Sequence, residues 1–303
     1  MNAGTDLNRR LIWEKAPRPQ RIGLVLGGGV VRGMAHIGVL QALDEHKLRP
    51  SYIVGASAGA LVGGLYAAGL TPSQLTTVAH HLKWRDISSL PMTISWAALA
   101  TLTVPLGILD LDRLSEWIRK VIGADIHFDQ LQIPFAAIAT DITTGESIML
   151  NDGPIAPAIR ASCSVPGIFT PVRWQGRLLV DGGASNNLPV SAVQQMGADY
   201  VIAVDLLPSV TSPVAEPKNI LEMSITALYA LIRAAQVDIP LANCVIQPAV
   251  GHIGLADLAA TEALIAAGYR ATLAKIPEIL QSLGIEQPSV VANSSSAEPD
   301  NLI

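Results

Sequence analysis

Two short apolar runs near the start of the chain each end on glycines and pass directly into a helical pattern. The first, RIGLVLGGG (21–29), is followed by MAHIGVLQALDEHKL (34–48), whose apolar residues recur at helical spacing. The second, SYIVG (51–55), runs into the small-residue stretch ASAGALVGGLYAAG (56–69) and then a new helix start at TPSQL. Short buried strands alternating with helices predict a parallel sheet covered on both faces. PFAAIATDITTGESIML (134–150) reads as two strands around a Thr-Thr-Gly-Glu turn, and RLLVDGG (177–183) as another strand ending in glycines. ADYVIAVDL (198–206) is nearly continuous in apolar residues, as a central strand requires, and NCVIQPAV (243–250) reads as the last strand. TEALIAAGYRATLAKIPEILQSLG (261–284) closes the pattern as a helix. The expected fold class is α/β, a three-layer α/β/α sandwich with a mainly parallel central sheet. It occupies 21–285 as one domain, after an N-terminal extension (1–20) and before a tail (286–303) of disordered composition.

Composition narrows the function classes. Half of the residues are apolar and only 4% are aromatic, so small aliphatic side chains must fill the core. A net charge of −5 with scattered basic residues offers no footprint for nucleic acid. Cys163 and Cys244 lack metal-binding or redox spacing and read as small thiols in a reducing compartment. No HExxH, EF-hand loop or Cys/His cluster occurs, so neither a metal nor another cofactor is expected. The first twenty residues lack the apolar core of a secretory signal. Residues 87–109, ISSLPMTISWAALATLTVPLGIL, carry no charge, but their two prolines and several Ser and Thr argue against a membrane span. They are expected to cover an apolar cleft and to touch lipid surfaces, which places the protein in the cytoplasm and peripherally at the membrane. Oligomeric state is left open.

Three glycine-rich strand ends carry the chemistry. GGGVVRG (27–33) misses the dinucleotide fingerprint, because Arg32 stands where its third glycine belongs and no ribose-binding acid ends the next strand. It also lacks the Gly-Lys-Ser/Thr of a P-loop. Backbone N–H groups at such a turn can instead hold an oxyanion, unless the glycines serve the turn alone. GASAG (55–59) fits the G-x-S-x-G elbow around Ser57, although a closely packed helix also accounts for its small residues. Asp181 ends a strand ahead of Gly182 and Gly183, where it is either a base or a turn former. Together the three supply a nucleophile, an anion-stabilising loop and a base, the parts needed for acyl transfer. His252 alone follows Asp181 in the order a Ser–Asp–His triad requires, and reads better as a loop histidine. Asp141 and Arg160 read as a buried ion pair or as turn caps, and Trp84, Trp96 and Trp117 as packing residues.

Through GGGVVRGMAHIGVL, GASAGA, ATDITTGE, AIRASCSVPGIFTPV and LVDGGASNNLPV, in that order, the chain resembles the patatin-like phospholipase family, particularly its bacterial members. The likeness runs from about Arg21 to Asp205 and more weakly to about Leu283. It implies a serine hydrolase of lipid esters, of the phospholipase A or lysophospholipase type, with a Ser57–Asp181 dyad. The N–H groups of Gly28, Gly29 and Val30 would form the oxyanion hole. Arg32 would position that loop or attract an anionic headgroup, and Gly33, Gly55, Gly59, Gly182 and Gly183 would shape the turns. Val30 is a departure, since many relatives carry Gly or Ala there and a β-branched side chain narrows the loop. Alternative readings are a thioesterase or small-ester hydrolase with the same dyad, or a regulatory or scaffold protein of this fold with little turnover.

Overall fold

The computed structural model describes residues 20–89, 106–107, 109–207, 215–218, 220–235 and 238–285. The strands are β1 (Ile22–Leu26), β2 (Tyr52–Ala56), β3 (Phe135–Asp141), β4 (Ser147–Leu150), β5 (Val172–Trp174), β6 (Arg177–Asp181), β7 (Tyr200–Val204) and β8 (Cys244–Ile246). They form one sheet in the order β5-β6-β3-β2-β1-β7-β8, with β4 also paired to β3. The helices are α1 (Ala35–Glu45), α2 (Ala58–Ala67), α3 (Pro72–His81), α4 (Trp84–Ile87), α5 (Asp112–Ile122), α6 (Ile155–Ser162), α7 (Gly183–Asn186), α8 (Val190–Gln195), α9 (Ile220–Ala235) and α10 (Thr261–Leu283).

Strand alternation sorts the core into two halves. Leu24, Leu26 and Ile53 pack with Ile37 and Leu40 of α1, Leu65 of α2 and Ile265 of α10. Val25, Val54 and Ile138 face the other way, against Leu188 and against Val190 and Val193 of α8. This is the three-layer arrangement the alternation of elements predicts. The helices come close because their contact positions are small: a Cβ at Gly59 would overlap the Leu26 carbonyl oxygen, so α2 rests directly on β1.

The sheet departs from a simple parallel order where the site is built. β8-β7-β1-β2-β3 are parallel neighbours, whereas β6 runs antiparallel to β3. Ala137 and Ile138 pair with both β2 and β4, so those two strands lie on opposite edges of β3. Ala139 and Thr140 pair with both β4 and β6, which puts β6 on the edge that β2 has just left. β2 and β6 therefore meet end to end along one edge of β3. Ala56 lies opposite Ile138, and Asp181 lies opposite Ala139. β6, which ends on Asp181, thus approaches the site from the direction opposite to the parallel strands. The short β5 had no signal in the sequence, because three residues are too few to show alternation.

Of the apolar segment 87–109, residues 90–105 and 108 lie outside the described residues, as do 1–19 and 286–303. At its described ends Ile87 is buried, Ser89 bridges Asp110, and Leu109 bridges Phe169. Asp141 and Arg160 are not paired with each other. Asp141 accepts from the Thr143 N–H at 3.0 Å and pairs with Arg177, whereas Arg160 pairs with Asp110 and Asp112.

Candidate active site

β2 stops at Ala56 and the chain reverses sharply at Ser57, which has φ 52° and ψ −123° before α2 begins at Ala58. A residue with a Cβ adopts a positive φ only at a cost, and such strain persists where surrounding contacts over-determine it. Those contacts are present. The Ser57 N–H donates to the Ser162 Oγ at 2.9 Å, and the Ser162 hydroxyl donates onward to the Ile138 carbonyl. The Cys163 thiol donates to the Ser57 carbonyl at 3.3 Å. Gly55 packs against the backbone at Gly59 and Ala60 so tightly that a side chain there has no room. The small residues that left the sequence ambiguous thus hold an elbow.

Because β2 and β6 converge on one edge of β3, Asp181 stands beside this elbow. Its Oδ1 accepts the Gly183 N–H at 2.8 Å, and Gly182 turns the chain against the Ile138 carbonyl. Burial pushes the Asp181 pKa up to about 6, while the Ser57 hydroxyl and the Gly183 N–H pull it down. Its Oδ2 is buried without a partner of full hydrogen-bond geometry, so the contact with Ser57 is a loose one. Catalytic hydrogen bonds are often long before substrate binds and tighten with it.

The glycine loop lies across from both residues. A Cβ at Gly28 would come 3.0 Å from the Ser57 Cβ, so only glycine brings the backbone this near. The loop is held from beneath by His36, fully buried, whose Nε2 donates to the Gly27 carbonyl at 2.7 Å. Burial lowers the His36 pKa to about 4, which keeps the ring neutral. The Gly28 N–H is already taken, donating to Asn187 Oδ1 at 3.1 Å. The N–H groups of Gly29 and Val30 donate to no acceptor among the described residues. Val30 has φ 51°. Arg32 is 3% exposed and turns away from Ser57, donating to the carbonyls of Gly251 at 2.8 Å and Ile253 at 2.9 Å. Gly33 lets the same turn sit against Ala58.

An apolar cavity of about 90 Å³ opens on Ser57, with Val30, Leu61, Trp84, Cys163 and Phe169 among its walls. A second apolar cavity, about 160 Å³, shares Val30, Trp84, Val165 and Phe169 with it. The larger polar cavity, about 570 Å³, touches neither Ser57 nor Asp181 and is lined by Arg32, Tyr229, Arg233 and His252. His252 is exposed there and makes no hydrogen bond to the pair. Ser162, Asn187 and His36 were missed from the sequence. Ser162 and Asn187 are polar residues inside the motif stretches AIRAS and GGASNN, a signal that could have singled them out.

This geometry can be set beside known proteins. A family profile described as patatin-like phospholipase matches residues 24–193. An uncharacterised NTE family protein of Mycobacterium tuberculosis is 40% identical over 199 residues, covering 65% of this chain and 52% of that protein. Lysophospholipase NTE1 of Scheffersomyces stipitis is 35% identical over 188 residues, which are 62% of this chain and 12% of that protein. The chain thus spans about half the length of the mycobacterial relative it matches. The crystal structure of VipD from Legionella pneumophila superposes with a TM-score of 0.53 at 15% identity, over 86% of this chain and 67% of VipD, a likeness of fold. The profile match covers more than half of the chain and takes in the glycine loop, the Ser57 elbow and Asp181, and the chain accordingly belongs to the patatin-like phospholipase family.

Proposed function

We propose that the protein is a serine hydrolase of lipid esters, of the phospholipase A or lysophospholipase type, working through Ser57 and Asp181. One observation carries the reading: a strained elbow serine lies beside a buried carboxylate and opens on an apolar cavity. The Ser57 oxygen attacks the ester carbonyl carbon as Asp181 takes the hydroxyl proton. The oxyanion accepts hydrogen bonds from the Gly29 and Val30 N–H groups, each such donor being worth roughly 2.7–4 kcal/mol. Gly28, tied to Asn187, sets their position. Collapse breaks the bond to the leaving alcohol, which receives the proton from Asp181, and leaves the acyl group on Ser57. Asp181 then takes a proton from water, whose oxygen attacks the acyl carbon, and returns that proton to Ser57 as the acid departs. A carboxylate with its pKa raised to about 6 is a better base than an ordinary aspartate and still ionised at neutral pH.

Among the described residues no helix is long and apolar enough to cross a membrane. Access to lipid is assigned to peripheral contact through residues 87–109, whose two prolines and several Ser and Thr argue against a span. Shortening that segment is expected to weaken co-sedimentation with vesicles while folding is kept; unchanged binding overturns the assignment. The small volume of the Ser57 cavity favours a second reading, hydrolysis of short-chain esters or thioesters by the same dyad. A series of esters differing only in acyl length separates the two. The dyad itself is tested with a fluorophosphonate probe, which mimics the tetrahedral intermediate. Wild type should label, Ser57→Ala should not, and Asp181→Asn should label slowly; a folded wild type that neither labels nor hydrolyses any ester sinks the proposal.

A further inference from the structure

The polar cavity of about 570 Å³ has a charge arrangement that the dyad does not explain. Arg32 spends its Nε and Nη2 on the Gly251 and Ile253 carbonyls, and its Nη1 bonds to no described residue. Arg233, on α9, makes no ion pair or hydrogen bond within the described residues, and its Nε is buried without a partner. The two guanidinium groups lie close enough for Arg233 to depress the pKa of Arg32, together with the larger effect of burial. Three carboxylates, Glu216, Glu222 and Asp257, reach the same walls, but no ion pair or hydrogen bond joins any of them to Arg32 or Arg233. Arg32 is buried and Arg233 partly so, and two neighbouring cations drawn out of water cost free energy unless an anion joins them. A guanidinium offers forked donors that match the oxygens of a phosphate.

The cavity is also linked to the ester site through a chain of shared walls. Tyr229 lines it and lies near enough to feel the charges of both Asp181 and Arg32. Glu222, Leu255 and Ala256 belong to the walls of both the polar cavity and the second apolar cavity. That cavity in turn shares four residues with the one on Ser57. A molecule with a reactive ester at Ser57 and a charged group some distance from it can occupy this path.

We propose that Arg32, Arg233 and the Tyr229 hydroxyl form a phosphate-binding site whose occupant is the phosphodiester headgroup of the ester cleaved at Ser57. The headgroup half rests on the hydrolase reading; the phosphate half does not. A free phosphate or phosphate monoester is the other source of the same chemistry, and the test separates them. Full-length wild type, Arg233→Gln and Arg233→Lys are compared by thermal melting with and without inorganic phosphate. Their kinetics are compared on monomeric lysophosphatidylcholine and on p-nitrophenyl butyrate, which has no headgroup. Removing an unpaired guanidinium should leave the fold intact, and Arg233→Lys keeps the charge without the fork if the glutamine variant does not fold.

Phosphate should raise the melting temperature of wild type, less so of Arg233→Lys, and not of Arg233→Gln. The KM of Arg233→Gln for the lysophospholipid should rise about tenfold more than its KM for the butyrate ester, the size expected for a lost charge-assisted contact. Equal effects on both substrates, with phosphate still stabilising through Arg233, overturn the headgroup assignment and leave a site for a free anion. Failure of phosphate to stabilise wild type overturns the site itself. A wild type that binds phosphate through Arg233 but hydrolyses neither ester defeats the hydrolase reading and leaves the anion site standing.

Discussion

Ser57 combines a positive φ with a ψ of −123°, a backbone conformation that glycine adopts freely and serine does not. In the proposed mechanism, function and stability are therefore opposed at this residue. Ser57→Gly should abolish ester hydrolysis while raising stability by about 1 kcal/mol, read from urea unfolding. Asp181 carries a second opposition of this kind. Its folded-state pKa of about 6 lies above the ordinary 3.8, so the folded chain binds the proton more tightly than the unfolded one. Stability from this group is greatest at low pH and is lost as pH rises from about 4 through 6. Asp181→Asn should accordingly stabilise the fold at pH 8, by an amount on the order of 1–3 kcal/mol, and change little at pH 4. For the wild type, kcat/KM should fall tenfold per pH unit below about 6 as the carboxylate protonates. A flat profile down to pH 4 would remove Asp181 from the base role.

Individual elements are tied to one another by single polar residues. Ser162 ends α6, takes the Ser57 N–H and passes a hydrogen bond to β3 through the Ile138 carbonyl. Ser162→Ala leaves that buried N–H without an acceptor, a cost of about 1–3 kcal/mol. The expected kinetic signature is a drop in kcat with KM nearly kept, because the elbow loosens while the apolar cavity is untouched. Asn187 does the same for the glycine loop, and Asn187→Ala should slow the chemistry in the same manner by freeing the Gly28 N–H. Helix α2 depends on Gly59 in a different way. Its contact with Leu26 is backbone against side-chain-free surface, so Gly59→Val should lift the helix and cost folding as well as activity.

At the scale of the molecule, the family match stops at residue 193, but the sheet does not. β7 lies against β1 along its whole length, and β8 completes that side. Helix α10 buries Leu264, Ile265, Ile276, Ile279 and Leu280, and a Cβ at its Gly268 would overlap the Ala35 carbonyl of α1. Since α1 also carries His36, which holds the glycine loop, the end of the chain supports the site at its start. We propose that residues 21–285 fold as one unit. A chain cut after Ala260 should lose its cooperative thermal transition; a truncated protein with an unchanged melting curve would show that the family-matched part folds without α10.

Much of this was legible in the linear chain. Alternating strands and helices, the glycines at strand ends, and the residues Ser57 and Asp181 are local signals, because backbone periodicity and turn chemistry depend on a few consecutive residues. The sequence by itself therefore determined a covered, largely parallel sheet and the chemical types at its turns. Three features came only with the tertiary structure. The antiparallel β6 that meets β2 head-on, the capture of the Gly28 N–H by Asn187, and the burial of Arg32 against residues 251 and 253 each join parts of the chain far apart. Such pairings are settled by which buried polar groups can satisfy one another once the layers have packed, and no stretch of neighbouring residues encodes that choice.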